Sequence, residues 1–163
     1  VRAKVEEYLA RYRSRLVAGI RQILCDREFP PHALLPTAKL DAVRFVWCFP
    51  EFTPIACAVN RQRGYCSRGL VVPGFSDRTD FDPTLDEALG DVVSTSVPEE
   101  EFAHFAVKYA AFEAWMIHGW REARTVAPEI LGFLSEHDGG EPIDLDAGHV
   151  VRKSDTGITF WAK

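Results

Sequence analysis

The segment from residue 98 to residue 124 constrains the fold most, because it reads as a helix that is too apolar to lie exposed at a surface. Its apolar residues cover so broad an arc that other elements must bury much of the helix. These residues are Phe102, Phe105, Ala106, Tyr109, Phe112, Trp115, Met116 and Trp120. Ser96 and Glu99 form a capping box at its start, in which each side chain satisfies a backbone N–H group. We therefore predict a central, aromatic-rich core helix that ends near Arg124.

A second helical pattern occupies the start of the chain. Apolar residues recur there at spacings of three and four, and arginines fill other positions, which is typical of an amphipathic helix. The apolar positions are Val5, Leu9, Tyr12, Leu16, Ile20 and Ile23. We predict one long N-terminal helix of about six turns. It should end before Pro30 and Pro31, because proline cannot continue a helix.

The region between these helices has the composition of β-strands. Residues 43–49 and 55–59 are rich in β-branched and aromatic side chains, and a short connection between two prolines joins them. A connection this short favours antiparallel pairing. Residues 65–72 predict a third strand, which Gly69 weakens or bulges. We therefore expect a local antiparallel meander and no βαβ unit.

The remaining segments predict a short helix and a β-rich C-terminal part. Asp82 and Pro83 form a helix start signal, and a short helix over residues 82–89 would stop at Gly90. Residues 129–134 are compatible with either a helix or a strand. Residues 143–145, 149–152 and 158–161 read as strands, and the Asp/Gly turns between them favour a C-terminal β-hairpin. The predicted fold class is α+β.

Length and composition indicate a single domain over residues 1–163. No apolar run approaches the roughly 20 residues that cross a bilayer, and the charged start is unlike a signal peptide. We therefore expect a cytoplasmic protein with no membrane association. The four cysteines should be reduced thiols that act mainly as small buried hydrophobes. They are Cys25, Cys48, Cys57 and Cys66.

Charge is unevenly distributed along the sequence. Residues 1–72 carry 12 basic and 6 acidic side chains, whereas residues 73–101 carry Arg78 against nine carboxylates, for a net charge of −8. Carboxylates in a first helical turn interact favourably with the helix dipole, which explains part of this segment as a solvated edge. The alternative is a surface for a basic protein partner. Its predicted contact residues are Asp77, Asp80, Asp82, Asp86, Glu87 and Asp91.

The sequence also suggests an anchor residue for this surface and argues against nucleic-acid binding. Trp120 lies beside Gly119 near the end of its helix, so among the four tryptophans it is the best candidate for partial exposure and for an anchor in the interface. The arginines of the first helix alternate with apolar positions and lack interleaved aromatics, so we predict no nucleic-acid binding.

Evidence for catalysis in the sequence is weak. His137-Asp138 resembles the metal-binding pair of phosphohydrolases, but Gly139-Gly140 follows it and implies a turn. Asp144 and Asp146 are alternative metal ligands with Glu141, although carboxylates at this spacing usually face solvent. The sequence contains no Cys-x2-Cys pair, P-loop or dinucleotide fingerprint. We therefore predict no metal or cofactor, and a metal-dependent hydrolase remains the alternative class.

The order of elements resembles that of small bacterial immunity proteins. The resemblance rests on size, acidity, the long first helix, the meander, the acidic connection and the aromatic-rich helix. It extends to the β tail, which includes residues 133–138 and 143–145. Those families neutralise polymorphic toxins, many of them basic nucleases, by direct binding. The resemblance implies a non-enzymatic protein-binding module, and a small acidic secretion chaperone is a second binding class.

Overall fold

The first helical pattern forms two helices in the computed structural model, which describes residues 2–29, 40–47, 53–60, 64–65, 67–75, 98–136 and 139–152. Helix α1 spans Arg2–Arg11 and helix α2 spans Arg13–Asp26. Tyr12 separates them with φ −99° and ψ 0°, and its N–H group donates to the carbonyl of Leu9 three residues back. The prediction of one continuous helix is therefore wrong at Tyr12. The predicted end before Pro30 is confirmed, because α2 stops at Asp26.

The break at Tyr12 preserves the apolar face that the sequence indicated. Val5, Leu9, Leu16, Ile20 and Ile23 are all buried on either side of it. Arg27 then ends α2 in the left-handed conformation, with φ 53°. A single tight turn therefore interrupts the helix without turning these apolar side chains to solvent.

The described strands form one mixed sheet. Strand β1 is Ala42–Trp47, β2 is Ile55–Asn60, β3 is Gly64–Tyr65, β4 is Leu70–Val71, β5 is Leu131–Glu136, β6 is Gly139–Asp144 and β7 is His149–Val150. Their order is β3-β2-β1-β5-β6-β7, and β4 also pairs with β2. The segment left open between helix and strand is thus β5. The α+β fold class is confirmed.

The N-terminal part of the sheet agrees with the predicted meander in part. Strands β1 and β2 are antiparallel, with Phe45 opposite Ala56. The predicted third strand is divided into β3 and β4, which pair with opposite ends of β2. Between them the Ser67 hydroxyl accepts a hydrogen bond from Ala58 N–H at 2.7 Å. The Ser67 side chain therefore adds a hydrogen bond to β2 between the two short strands.

The centre of the sheet departs from the prediction. Strand β1 pairs with β5 in parallel, with Trp47 opposite Glu136. Parallel neighbours require a crossover connection, and the helix from Pro98 to Ala123, α3, lies between them in the chain. The expectation of a purely local meander was wrong, because it considered only strands adjacent in sequence. The C-terminal half supplies the second central strand.

Helix α3 confirms the predicted aromatic core helix. Its 26 residues end at Ala123, and a 3-10 turn over Arg124–Val126 follows. Phe112, Trp115, Met116 and Trp120 are buried and pack with α1, α2 and Val43, Phe45 and Trp47 of β1. The helices therefore cover one face of the sheet, and the core lies between the two layers.

The opposite face of the central strands is also buried. Ala42, Val59, Phe133 and Val151 form a second apolar cluster there. Arg44 lies on this face with only 5% of its surface exposed, and its Nε donates to Ser135 Oγ at 2.9 Å. This burial explains why every residue of β1 is buried.

The C-terminal strands form the predicted hairpin arrangement. Strand β6 pairs antiparallel with β5 and with β7. The predicted strand over 158–161 and the predicted helix over 82–89 lie outside the described residues. Within the described ranges, no helix combines the length and apolar character needed to span a bilayer.

Candidate functional site

The predicted acidic contact residues fall outside the described part of the chain. Asp77, Asp80, Asp82, Asp86, Glu87 and Asp91 all belong to the undescribed range 76–97. The same holds for His137 and Asp138 of the phosphohydrolase-like pair. Their roles stay predictions, and the site has to be built from other side chains.

Trp120 is an internal residue, which contradicts its prediction as a partly exposed anchor. Its side chain is 0% exposed and meets Phe45 edge to face, with ring centroids 5.8 Å apart. Gly132 of β5 lies against the indole, since a Cβ there would come within 2.3 Å of Trp120 Cε2. The sequence clue was misleading because Gly119 makes room for Leu16 of α2 instead of exposing its neighbour. Trp120 joins α3 to the centre of the sheet.

Asp144 and Asp146 are engaged in holding the turn after β6. The Oδ1 atom of Asp146 accepts two hydrogen bonds, from Trp120 Nε1 at 3.0 Å and from Arg124 Nη1 at 2.5 Å. Asp144 Oδ1 accepts from the backbone N–H groups of Asp146 and Ala147, at 2.8 and 3.0 Å. The proposed metal-ligand carboxylates thus have clear structural roles. We refer to the contacts of Asp146 with Trp120 and Arg124 as the Asp146 clasp.

Other potential metal ligands are dispersed in the described ranges. His118 is exposed on α3 and His149 is exposed on β7. Cys57 is buried in β2 and Cys25 is exposed on α2, so the prediction of buried thiols fails for Cys25. No three or more His, Cys, Asp or Glu side chains among the described residues come together in a metal-binding arrangement.

A distinct group of side chains lies where the two central parallel strands end. Trp47 closes β1 and stands opposite Glu136, which closes β5. Tyr109 of α3 packs on Trp47 with ring centroids 4.8 Å apart. Glu113 lies one helical turn further along the same face of α3. We call Trp47, Tyr109, Glu113 and Glu136 the acidic–aromatic edge.

Electrostatics link these side chains independently of the ring contact. Burial raises the pKa of Tyr109 above its ordinary value, and the nearby carboxylates of Glu113 and Glu136 raise it further. Burial also raises the pKa of the Glu113 carboxyl. Both carboxylates therefore act on the same phenol group.

The carboxylates of the edge also lack a neutralising partner among the residues that the structure describes. Within the described part of the chain, neither the Glu113 nor the Glu136 side chain makes a hydrogen bond or an ion pair. Glu122 and Glu129, by contrast, are paired with Arg13 and Arg27. Two carboxylates without a described counter-ion, beside a half-buried aromatic ring, form a suitable environment for a cation, because the ring face attracts positive charge as well.

Sequence reasoning missed this edge for an identifiable reason. Tyr109 was assigned only to the core, and Glu113 and Glu136 were not singled out. The spacing of four between Tyr109 and Glu113 was a usable signal that they share a helix face. Glu136 could be added only once β5 was known to pair beside β1.

Comparisons with protein-family models, characterised proteins and solved structures gave no match to this chain.

Proposed function

We propose that this chain is a non-enzymatic protein-binding module that captures a basic partner. The observation that carries the proposal is the half-buried Glu113 carboxylate, which has no counter-ion among the described residues and lies with Glu136 beside Tyr109. In this proposal a lysine or arginine side chain of the partner supplies the missing charge. Tyr109 would add a cation–π contact to that side chain.

The energetics favour an external cation over a purely structural role. A carboxylate that loses solvent without gaining a partner destabilises the free protein. Such groups are more common where binding or catalysis compensates for the lost stability. Binding a cationic side chain would pair this carboxylate. Part of the affinity would therefore come from removing the desolvation cost that the free protein carries.

The acidic segment would act at longer range. Residues 73–101 have a net charge of −8, and the chain as a whole has a net charge of −5. A field of this sign accelerates association with a basic protein and disfavours nucleic acid. In this proposal Asp77, Asp80, Asp82, Asp86, Glu87 and Asp91 steer the partner, while the acidic–aromatic edge fixes one of its side chains.

The resemblance to immunity proteins suggests what the partner is. We propose a basic toxin domain, which such proteins inhibit by direct binding. A bacterial cytoplasmic protein encoded beside its toxin is the corresponding biological setting. The polypeptide from the adjacent reading frame is therefore the partner to test.

Calorimetry and binding kinetics with that polypeptide test the proposal. We expect the double variant Glu113→Gln/Glu136→Gln to weaken binding about tenfold, mainly through faster dissociation. The control Glu28→Gln/Glu141→Gln removes two exposed carboxylates elsewhere and should change the affinity by less than twofold.

A second variant addresses the acidic segment. Asp80→Lys/Asp82→Lys/Asp86→Lys should slow association and reduce its dependence on salt, because steering acts on the encounter. If the triple variant captures the partner polypeptide at low salt as well as the wild type does, the acidic segment does not take part in binding. If Glu113→Gln/Glu136→Gln binds the partner as tightly as the control Glu28→Gln/Glu141→Gln, the acidic–aromatic edge is not part of the interface.

A further inference from the structure

A cleft of about 330 Å³ lies between α3 and the N-terminal helices, and none of its lining residues belongs to the acidic–aromatic edge. Its size is at the lower end of the roughly 300–1,000 Å³ typical of small-molecule sites. Leu9 and Trp115 contribute apolar lining and are only 3% and 6% exposed. The cleft is therefore an apolar depression with a floor supported by the protein core.

Small side chains explain why the cleft is unfilled. Where α2 meets α3 the helices are in close contact, since a Cβ on Gly119 would lie 2.4 Å from Leu16 Cδ2. Where α1 faces α3, the lining includes Ala10, Ala111 and Ala114. Their methyl groups do not reach far enough to fill the space that the larger residues Leu9 and Trp115 border.

The polar lining is predominantly cationic. Arg2, Arg13 and His118 border the cleft, against the single carboxylate of Glu6. Arg2 Nε donates to Glu6 at 2.7 Å, and Arg13 Nη2 donates to Glu122 at 3.2 Å. These pairs are at least 47% exposed on each partner, so they contribute little to stability. Either guanidinium can therefore turn toward a bound anion at little cost.

We propose that this cleft binds an amphipathic carboxylate. Its apolar part would lie against Leu9 and Trp115, and its carboxylate would accept hydrogen bonds from Arg13, with Arg2 and His118 nearby. Arginine is suited to this role because its planar guanidinium can donate two parallel hydrogen bonds to one carboxylate. The site is independent of the proposed protein partner, since it shares no residue with the acidic–aromatic edge.

Titration calorimetry with octanoate, octylammonium and octanol tests the assignment. We expect octanoate to bind with the highest affinity, because it alone combines the chain with a negative charge. Ala114→Phe fills the cleft and should weaken octanoate binding at least tenfold. Ala110→Phe is the matched control, since Ala110 is also exposed on α3 but does not line the cleft. It should change the dissociation constant by less than twofold.

The charge requirement has its own pair of variants. Arg13→Gln should weaken octanoate binding by roughly three- to tenfold. Arg11→Gln should not, because Arg11 is an exposed arginine at the end of α1 that lies outside the cleft lining and pairs with Glu7. These substitutions also decide the matter if Ala114→Phe does not fold. The proposal fails if octanoate does not bind at millimolar concentration, if octylammonium binds as tightly, or if both arginine variants behave alike.

Discussion

The Asp146 clasp should stabilise the fold more than any other described surface turn contact, and substitution of Asp146 tests this. One carboxylate oxygen accepts hydrogen bonds from the fully buried Trp120 indole and from Arg124. Arg121 adds two hydrogen bonds from its guanidinium to the backbone carbonyl of Asp146. Asp146→Ala removes the two side-chain contacts and leaves the carbonyl contacts in place, so it isolates the carboxylate.

The expected loss follows from the burial of each donor. A buried indole N–H left without an acceptor costs about 1–3 kcal/mol. The ion pair adds roughly 0.5–1 kcal/mol, because Arg124 is 26% exposed and also donates to the carbonyl of Pro128. We therefore expect Asp146→Ala to lower the free energy of unfolding by roughly 1.5–4 kcal/mol. Asp146→Asn keeps an acceptor for the indole and should cost about 1 kcal/mol.

Urea unfolding monitored by circular dichroism measures these differences. A double-mutant cycle with Trp120→Phe, which removes the indole N–H, should give a coupling energy of about 1–2 kcal/mol. Glu141→Ala, an exposed carboxylate on the same hairpin, serves as the control and should stay within about 0.5 kcal/mol of the wild type. A loss below about 0.5 kcal/mol for Asp146→Ala, or a coupling energy near zero, would refute the reasoning.

Three other predictions concern the core and the acidic–aromatic edge. Gly132→Ala should destabilise by about 1–3 kcal/mol in urea unfolding, because its Cβ would lie 2.3 Å from the Trp120 ring. Glu113→Gln should raise the free energy of unfolding near pH 7. The folded-state pKa of Glu113 is raised above its ordinary 4.5, so wild-type stability falls as the pH rises through that pKa and the carboxyl ionises. Glutamine does not ionise and avoids this loss. Below about pH 4 the glutamate is protonated as well, so the difference between the two proteins should disappear. A destabilised Glu113→Gln variant at neutral pH would contradict this sign. In ultraviolet difference titration against Tyr109→Phe, Tyr109 should ionise above its ordinary pKa of 10.0, and Glu136→Gln should lower that pKa. No change on removal of Glu136 would show that the two groups do not interact.

Local sequence patterns were sufficient to predict most of the helices and several strands. The capping box and aromatic spacing predicted α3, and the apolar stripe predicted the faces of α1 and α2. Prolines and glycines predicted several element ends, because their effects on the backbone act within a few residues. The break at Tyr12 was not predictable from this stripe, because buried apolar residues continue across it.

The candidate site depends on contacts that no local pattern specifies. Residues 131–136 have no decisive periodicity and become β5 only because β1 offers a parallel neighbour. That pairing places Glu136 beside Trp47 at the end of β1, close to Tyr109 of α3. Glu113 of α3 acts on the same tyrosine.

The sequence by itself determined the α+β class, the central apolar helix and the segregation of charge, because each follows from neighbouring residues and composition. Only the tertiary structure decided that Trp120 is an internal anchor and that two carboxylates share one aromatic edge. Burial and electrostatic proximity depend on which distant segments pack together, and side-chain spacing along the chain does not contain that information.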